Sequence, residues 1–234
     1  VILKPFANQP NLLAFFGDSQ LEYNEMLAKN ELVNDGLTLK GESIVVMEQP
    51  HSNKVVAIDD MSTFQRIDGV ASPLFIPEAD AILTDLKGVY LCTRTADCVP
   101  LLIYDQVKGV VGVVHSGRDS TRLNIMSVVL NTMRERYSSD LNDIQIAIGP
   151  SINKMRFNVS DDIFDKFVED TGIPQKRPYL DLNGVVIEQI LDLGISPMNI
   201  IDFPLCTFDS QEYHSYRRDK TALRQVSIIG MYNE

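Results

Sequence analysis

Thr95-Ala96-Asp97-Cys98-Val99-Pro100-Leu101-Leu102-Ile103-Tyr104 is followed by the polar stretch Asp105–Gly109, then by Val110-Val111-Gly112-Val113-Val114-His115-Ser116-Gly117. Two apolar runs joined by a short polar turn read as a hairpin, and runs without a polar face read as strands buried on both sides. In an antiparallel pair the start of one strand lies beside the end of the next. Cys98 and His115 are therefore expected to be neighbours in space. A strand followed by a turn and a helix is also a common place for ligand contacts, which draws attention to His115-Ser116-Gly117.

Outward from this hairpin, Leu12–Phe16, Ser43–Met47, Lys54–Ile58, Ala81–Thr84, Val89–Thr93, Ile144–Ile148, Asn199–Phe203 and Gln225–Met231 read as strands. Ala81–Thr84 and Val89–Thr93 are expected to be joined by a turn at Lys87-Gly88. A helix is expected from a Ser19 cap to about Val33, stopped by Gly36. A second starts at Asp119 or Ser120, with Leu123, Met126, Val129, Leu130 and Met133 on its apolar face. Others start at Ser160 and run from about Asp181 to Leu193. There is no strict βαβ alternation. The expected class is α+β, with mixed sheets carrying helices on their outer faces.

The chain has 234 residues, and 1–234 is read as a single domain. Lys and Arg number 21 against 32 Asp and Glu, a net charge of −11, which repels phosphate backbones and argues against a nucleic-acid partner. An anionic ligand would need a local cluster of arginines. The three cysteines, Cys92, Cys98 and Cys206, do not suggest a disulfide framework. No segment reaches the length of a membrane span, so a cytoplasmic protein is expected.

Histidine is scarce: only His51, His115 and His214 occur. His51 follows Gln49-Pro50 in a loop after a strand. Three readings of Cys98 and His115 stand side by side. They are a thiol nucleophile with its base; or, with His51, a two-His, one-Cys metal site with an open fourth position; or a small buried cysteine beside an incidental histidine. Cys92 and Cys206 read as core thiols, and His214 as a surface or pocket-edge residue.

Taken together, the segments resemble the YfiH/laccase-domain-containing family, first called polyphenol oxidase and now described as purine nucleoside phosphorylase. The resemblance runs from about Glu48 to the C-terminus. It is carried by Gln49-Pro50-His51…Val55, Ala79-Asp80-Ala81…Thr84-Asp85, Thr95–Leu102…Asp105, His115-Ser116-Gly117 and Ile148-Gly149-Pro150. It continues through Asp181-Leu182-Asn183, Cys206-Thr207 and Ser215-Tyr216-Arg217-Arg218-Asp219…Thr221…Arg224. It implies a four-layer α/β/β/α sandwich and a metal, usually zinc, on His51, Cys98 and His115. It also implies phosphorolysis of adenosine, inosine, guanosine or methylthioadenosine to base and ribose 1-phosphate, with adenosine deamination as a companion activity. Copper-dependent phenol oxidation has been assigned to some members.

The chain departs from the family in its N-terminal segment, where F-x-T-R-x-G-G-V-S is missing and Phe15-Phe16-Gly17-Asp18-Ser19 stands roughly there, and at two places near the expected pocket. H-A-G-W-R-G reads His115-Ser116-Gly117-Arg118-Asp119-Ser120, and G-P-C-I-G reads Gly149-Pro150-Ser151-Ile152-Asn153. Phosphorolysis needs an anion clamp, for which Arg118, Arg122, Arg217, Arg218 and Arg224 are candidates and Arg118 with Arg217 the preferred pair. Deamination needs a proton carrier, and Asp97 is the nearest acid to Cys98. Catalytic roles are thus expected of Cys98, His115 and Asp97. The alternatives are a copper-dependent oxidase and a binding protein that keeps its metal only for structure. Three histidines cannot supply both a blue-copper centre and the further copper cluster of a true laccase.

Overall fold

A computed structural model of the chain describes residues 2–34, 36–60 and 73–233. The hairpin forms the centre of a six-stranded mixed sheet. Its order is β12 (Ile200–Asp202), β11 (Ile144–Ile148), β9 (Val99–Asp105), β10 (Val110–Ser116), β7 (Ala81–Thr84) and β5 (Val55–Ile58). A five-stranded mixed sheet packs on it, in the order β1 (Leu12–Phe16), β13 (Gln225–Met231), β8 (Tyr90–Thr95), β4 (Ile44–Met47) and β6 (Leu74–Ile76). The small hairpin β2 (Glu31–Asn34) and β3 (Leu37–Lys40) stands apart.

The alternation of side chains along a strand explains the layers. Leu101 and Ile103 of β9, and Val110 and Val114 of β10, face one way. They meet α3 (Ile125–Tyr137), α4 (Asp161–Thr171) and α5 (Leu182–Asp192) through Met126, Val129, Leu130, Phe167, Val186 and Ile190. Leu102, Val111 and Val113 face the other way and pack against Phe16, Val45, Met47, Leu91 and Ile229 of the five-stranded sheet. The outer face of that sheet, with Phe15, Ile44, Val46 and Ile228, is covered by α1 (Tyr23–Lys29) and the β2–β3 hairpin. The result is the α/β/β/α sandwich, with one thin outer layer. Each fully buried Leu, Ile or Val contributes about 1.5–3 kcal/mol relative to an exposed one.

Three local expectations are corrected. The helix expected to reach Val33 stops at Asn30, which is left-handed (φ 51°), and the chain turns into β2. Its N-terminus is capped by Glu22, whose carboxylate accepts from Glu25 N at 2.9 Å, and not by Ser19. The turn expected at Lys87-Gly88 is present, with Gly88 left-handed (φ 73°), and it carries the chain from β7 in the six-stranded sheet to β8 in the other. The helix after His115 is two helices, α2 (Arg118–Arg122) and α3. Left-handed Asn124 separates them, and its side chain caps α3 by accepting from Ser127 N. Among the described residues no helix is long and apolar enough to cross a membrane.

Candidate metal centre and cleft

The register of the hairpin pairs His115 with Pro100 and Ser116 with Val99, which sets His115 beside the entry to β9. Cys98 occupies the turn just before that entry. The turn is fixed by Asp97, whose backbone is left-handed (φ 91°). One Asp97 oxygen accepts from the Thr207 hydroxyl at 2.7 Å and the other from Arg217 N at 2.6 Å, while its carbonyl accepts from Ile152 N. The third element is the loop after β4, where Gln49 (φ 59°) and His51 (φ 68°) are both left-handed. The Gln49 amide donates to the Arg94 carbonyl at 2.7 Å and accepts from Arg94 N at 3.0 Å. The Arg94 guanidinium in turn donates to the carbonyls of Met47 and Glu48 and lies over the Tyr23 ring.

These elements converge. Ligand atoms of His51, Cys98 and His115 all lie within 4.8 Å of one another, and Cys98 Sγ is 3.8 Å from His51 Nε2. The two imidazoles stand edge to face at 81°. Donors around a tetrahedral zinc ion, with bonds of roughly 2.0–2.3 Å, sit about 3.3–3.6 Å apart, so side-chain shifts of no more than about 1–1.5 Å would bring the set to that spacing. Gly117 leaves the room: a Cβ there would come within 2.5 Å of His51 Cδ2 and 3.2 Å of Cys98 Sγ. His51 is exposed, Cys98 half-buried and His115 buried, so the set opens to solvent on one side.

Asp80, fully buried, ties the two imidazoles together. Its Oδ1 accepts from His115 Nδ1 at 2.8 Å and from His51 N at 3.1 Å, and its Oδ2 accepts from Ser52 N and Oγ. Assigning the Nδ1 proton of His115 to this bond leaves Nε2 as the ligating atom. Burial alone would raise the Asp80 carboxyl, but His115 and Ser52 together hold it below its ordinary value. Burial pushes the His115 imidazolium down, outweighing Asp80, which favours the neutral ring a metal requires. Burial likewise pushes the Cys98 thiol up to about 12, with Asp97 adding to the effect and Arg224 and Arg118 opposing it. A free thiolate nucleophile is thereby disfavoured, whereas a bound cation would stabilise the thiolate.

The cluster forms part of the wall of a cleft of about 610 Å³. Arg94, Arg118, Arg217, Lys220 and Arg224 also line it, together with Ile152, Phe157, Leu182 and Tyr216. Its carboxylates are Asp97 and Asp119, and Asp119 is engaged by Arg118 at 2.8 Å and by Arg122. Of the expected arginines, Arg118, Arg217 and Arg224 reach the cleft. Arg122 turns to Asp170 and Asp119, and Arg218 donates to the carbonyls of Thr207, Phe208, Ser210 and Tyr213. His214 lies outside the cleft lining, and Cys92 is buried in the outer core. Sequence reasoning gave no role to Asp80 or Lys220. Asp80 carried one signal, its place in the Ala79-Asp80-Ala81 segment, but its partners lie 29 and 35 residues away.

Comparison with known proteins agrees with this picture. The family described as multi-copper polyphenol oxidoreductase laccase matches residues 4–232. A purine nucleoside phosphorylase of Campylobacter jejuni is 32% identical over 219 residues, covering 89% of this chain and 87% of its own length. The purine nucleoside phosphorylase YlmD of Bacillus subtilis is 32% identical over 221 residues, covering 88% of this chain and 77% of its own. The crystal structure of the Bacillus licheniformis hypothetical protein YfiH shares the fold, with a TM-score of 0.78 at 24% identity over 96% of this chain and 93% of that one.

Proposed function

This chain belongs to the family described as multi-copper polyphenol oxidoreductase laccase, and from that premise we propose that it is a metal-dependent purine nucleoside phosphorylase. The names of its relatives support the reaction class. The observation that carries the reading is the joining of a His–Cys–His cluster to a cation-lined cleft in a protein whose net charge is −11. Such a cleft selects an anion that the rest of the surface repels.

In phosphorolysis a phosphate oxygen forms a bond to the ribose C1′ while the bond from C1′ to the base nitrogen breaks, and that electron pair leaves with the base. Arg118, Arg217 and Arg224 bind and orient the phosphate, because a guanidinium fork matches its oxygens. Arg217 is pre-organised for this, since its Nη1 is anchored on the carbonyls of Arg156 and Asn158 and its guanidinium lies over Phe157. Ile152, Phe157 and Leu182 offer the apolar surface that a purine and ribose bury. His51, Cys98 and His115 hold the metal, for which zinc is the assignment. A two-His, one-Cys set with an open position is a catalytic zinc arrangement. When bound, the ion supplies Lewis-acid polarisation of an oxygen ligand. Asp97 positions Cys98 and the Arg217 backbone. With both oxygens engaged, its carboxylate holds the turn in place and is poorly set to carry a proton for deamination.

Copper competes for the same donors. Phenol oxidation is then a side reaction of copper-loaded protein, since the two histidines of this site leave only His214 for any further copper. The test is adenosine incubated with and without phosphate. The proposal expects adenine and ribose 1-phosphate only when phosphate is present. Phosphate-independent inosine would make the protein a deaminase, and neither product from metal-loaded protein would overturn the reading.

A further inference from the structure

We propose that Asp119 accepts the ribose 2′-hydroxyl, so that the cleft selects ribonucleosides over 2′-deoxyribonucleosides. The inference rests on the nucleoside phosphorylase reading of the cleft and deepens it by naming the sugar that the site takes. Its ground is the supply of acceptors. A ribose brings two vicinal hydroxyl donors into a cleft whose charged lining is mostly donor: Arg94, Arg118, Arg217, Lys220 and Arg224. Two carboxylates stand among them, Asp97 and Asp119. Asp97 is buried, with one oxygen on the Thr207 hydroxyl and the other on Arg217 N. The Asp119 side chain is 35% exposed. Its Oδ1 accepts the longer bonds, from Arg118 Nε at 3.4 Å and Arg122 Nε at 3.3 Å. Among the described residues its Oδ2 accepts only from Arg118 Nη2, at 2.8 Å. A carboxylate oxygen has two lone pairs, so Oδ2 keeps one for a hydroxyl. The neighbouring guanidinium groups, Arg118 foremost, hold the Asp119 carboxyl below its ordinary value, so it stays an acceptor through the neutral range. The Gln49 amide, a neutral group in the same lining, is spent on the Arg94 backbone.

The place of Asp119 suits this role. Gly117 abuts His51 and Cys98, and Arg118 and Asp119 are the first two residues of α2 directly after it. Arg118 spends Nε and Nη2 on Asp119, which leaves its Nη1 for a phosphate oxygen. An anion on Arg118 is then beside the free lone pair of Asp119. Phosphorolysis asks for that adjacency. The phosphate reaches C1′ on the ring face opposite the departing base. In a ribonucleoside the 2′-hydroxyl lies on that same face, on the carbon bonded to C1′. The group that holds the attacking phosphate and the group that holds the 2′-hydroxyl must therefore be neighbours, and Arg118 and Asp119 are bonded to each other. Asp119 stands where the family pattern H-A-G-W-R-G has its arginine, so the acceptor belongs to this chain's own departure from that pattern.

The test compares adenosine with 2′-deoxyadenosine, which differ only at the hydroxyl in question. Calorimetry on the metal-loaded chain in sulfate, a tetrahedral anion that does not attack C1′, gives both dissociation constants. The parent is expected to bind adenosine about 10–100-fold more tightly, the worth of one hydrogen bond to a charged group. Asp119→Ala is expected to bring the two constants within about twofold of each other. Asp119→Asn, which keeps a neutral acceptor, is expected to leave a preference of about threefold to tenfold. A carboxylate that merely steadied Arg118 would weaken both nucleosides alike. An unchanged ratio in Asp119→Ala therefore overturns the proposal, as does equal binding in the parent. Assays with phosphate in place of sulfate separate the two readings. If neither nucleoside is cleaved while the ratio collapses in the variant, the phosphorylase reading fails and the role of Asp119 stands. If both are cleaved and bound alike, the phosphorylase reading stands and this one falls. Binding of neither nucleoside overturns both.

Discussion

Asp80 is one carboxylate doing three jobs: it fixes the His115 tautomer, holds the His51 backbone and anchors Ser52. Asp80→Asn keeps the shape and removes the charge. Metal affinity is expected to fall about 10–100-fold, as for outer-shell partners of metal-binding histidines. Competition against a chelator measures this, and an unchanged affinity would contradict the role given to Asp80. Residues of this kind are poorly legible in a sequence, because their partners are set only by the fold. Cys98 and His115 were legible for the opposite reason: one hairpin register decides their neighbourhood. His51 lies between. Its loop was visible, but its arrival at the cluster depends on left-handed backbone at Gln49 and His51 and on the clasp between Gln49 and Arg94, none of which a spacing rule contains.

At the scale of elements, β9 both builds the core and aims the site. Leu102 is fully buried between the sheets, and Leu102→Ala is expected to cost about 2–5 kcal/mol, read as a lowered urea midpoint. A loss below about 1 kcal/mol would mean that the sheets do not pack through this strand. His214 precedes α6 and tests how firmly the closing segment is packed. Burial lowers its pKa, although Glu22 opposes this. The unfolded state then takes up a proton near pH 6.5 that the folded state resists, so stability is present above that pH and declines as pH falls toward the folded value. Denaturant midpoints between pH 7.5 and 5.5 are expected to decline less in His214→Gln than in the parent. Parallel curves would show that His214 is not buried in solution. Strands and long helices were legible here because apolar periodicity marks them. The break at Asn124 and the turn at Asn30 were not, because each depends on an asparagine adopting a left-handed conformation inside an otherwise helical pattern.

The whole molecule sets an acidic exterior against a cationic cleft. Exposed charges are screened within about 10 Å at 0.1 M salt, so the phosphate KM is expected to rise several-fold between low and roughly 0.5 M ionic strength. A flat profile would place phosphate away from the arginines. At this scale the layered class was readable from runs that lack a polar face, while the assignment of strands to sheets was not. β7 and β8 are close in sequence and belong to opposite sheets, because β7 is claimed by β5 and β10. The measurement that bears most directly on the central claim is the metal content of the purified, unchelated protein and of its Cys98→Ala variant, with a circular dichroism spectrum for each. About one ion per chain is expected in the parent, and almost none in a variant that keeps its fold. Less than about half an ion in the parent, or the same content after the sulfur is removed, would contradict that claim.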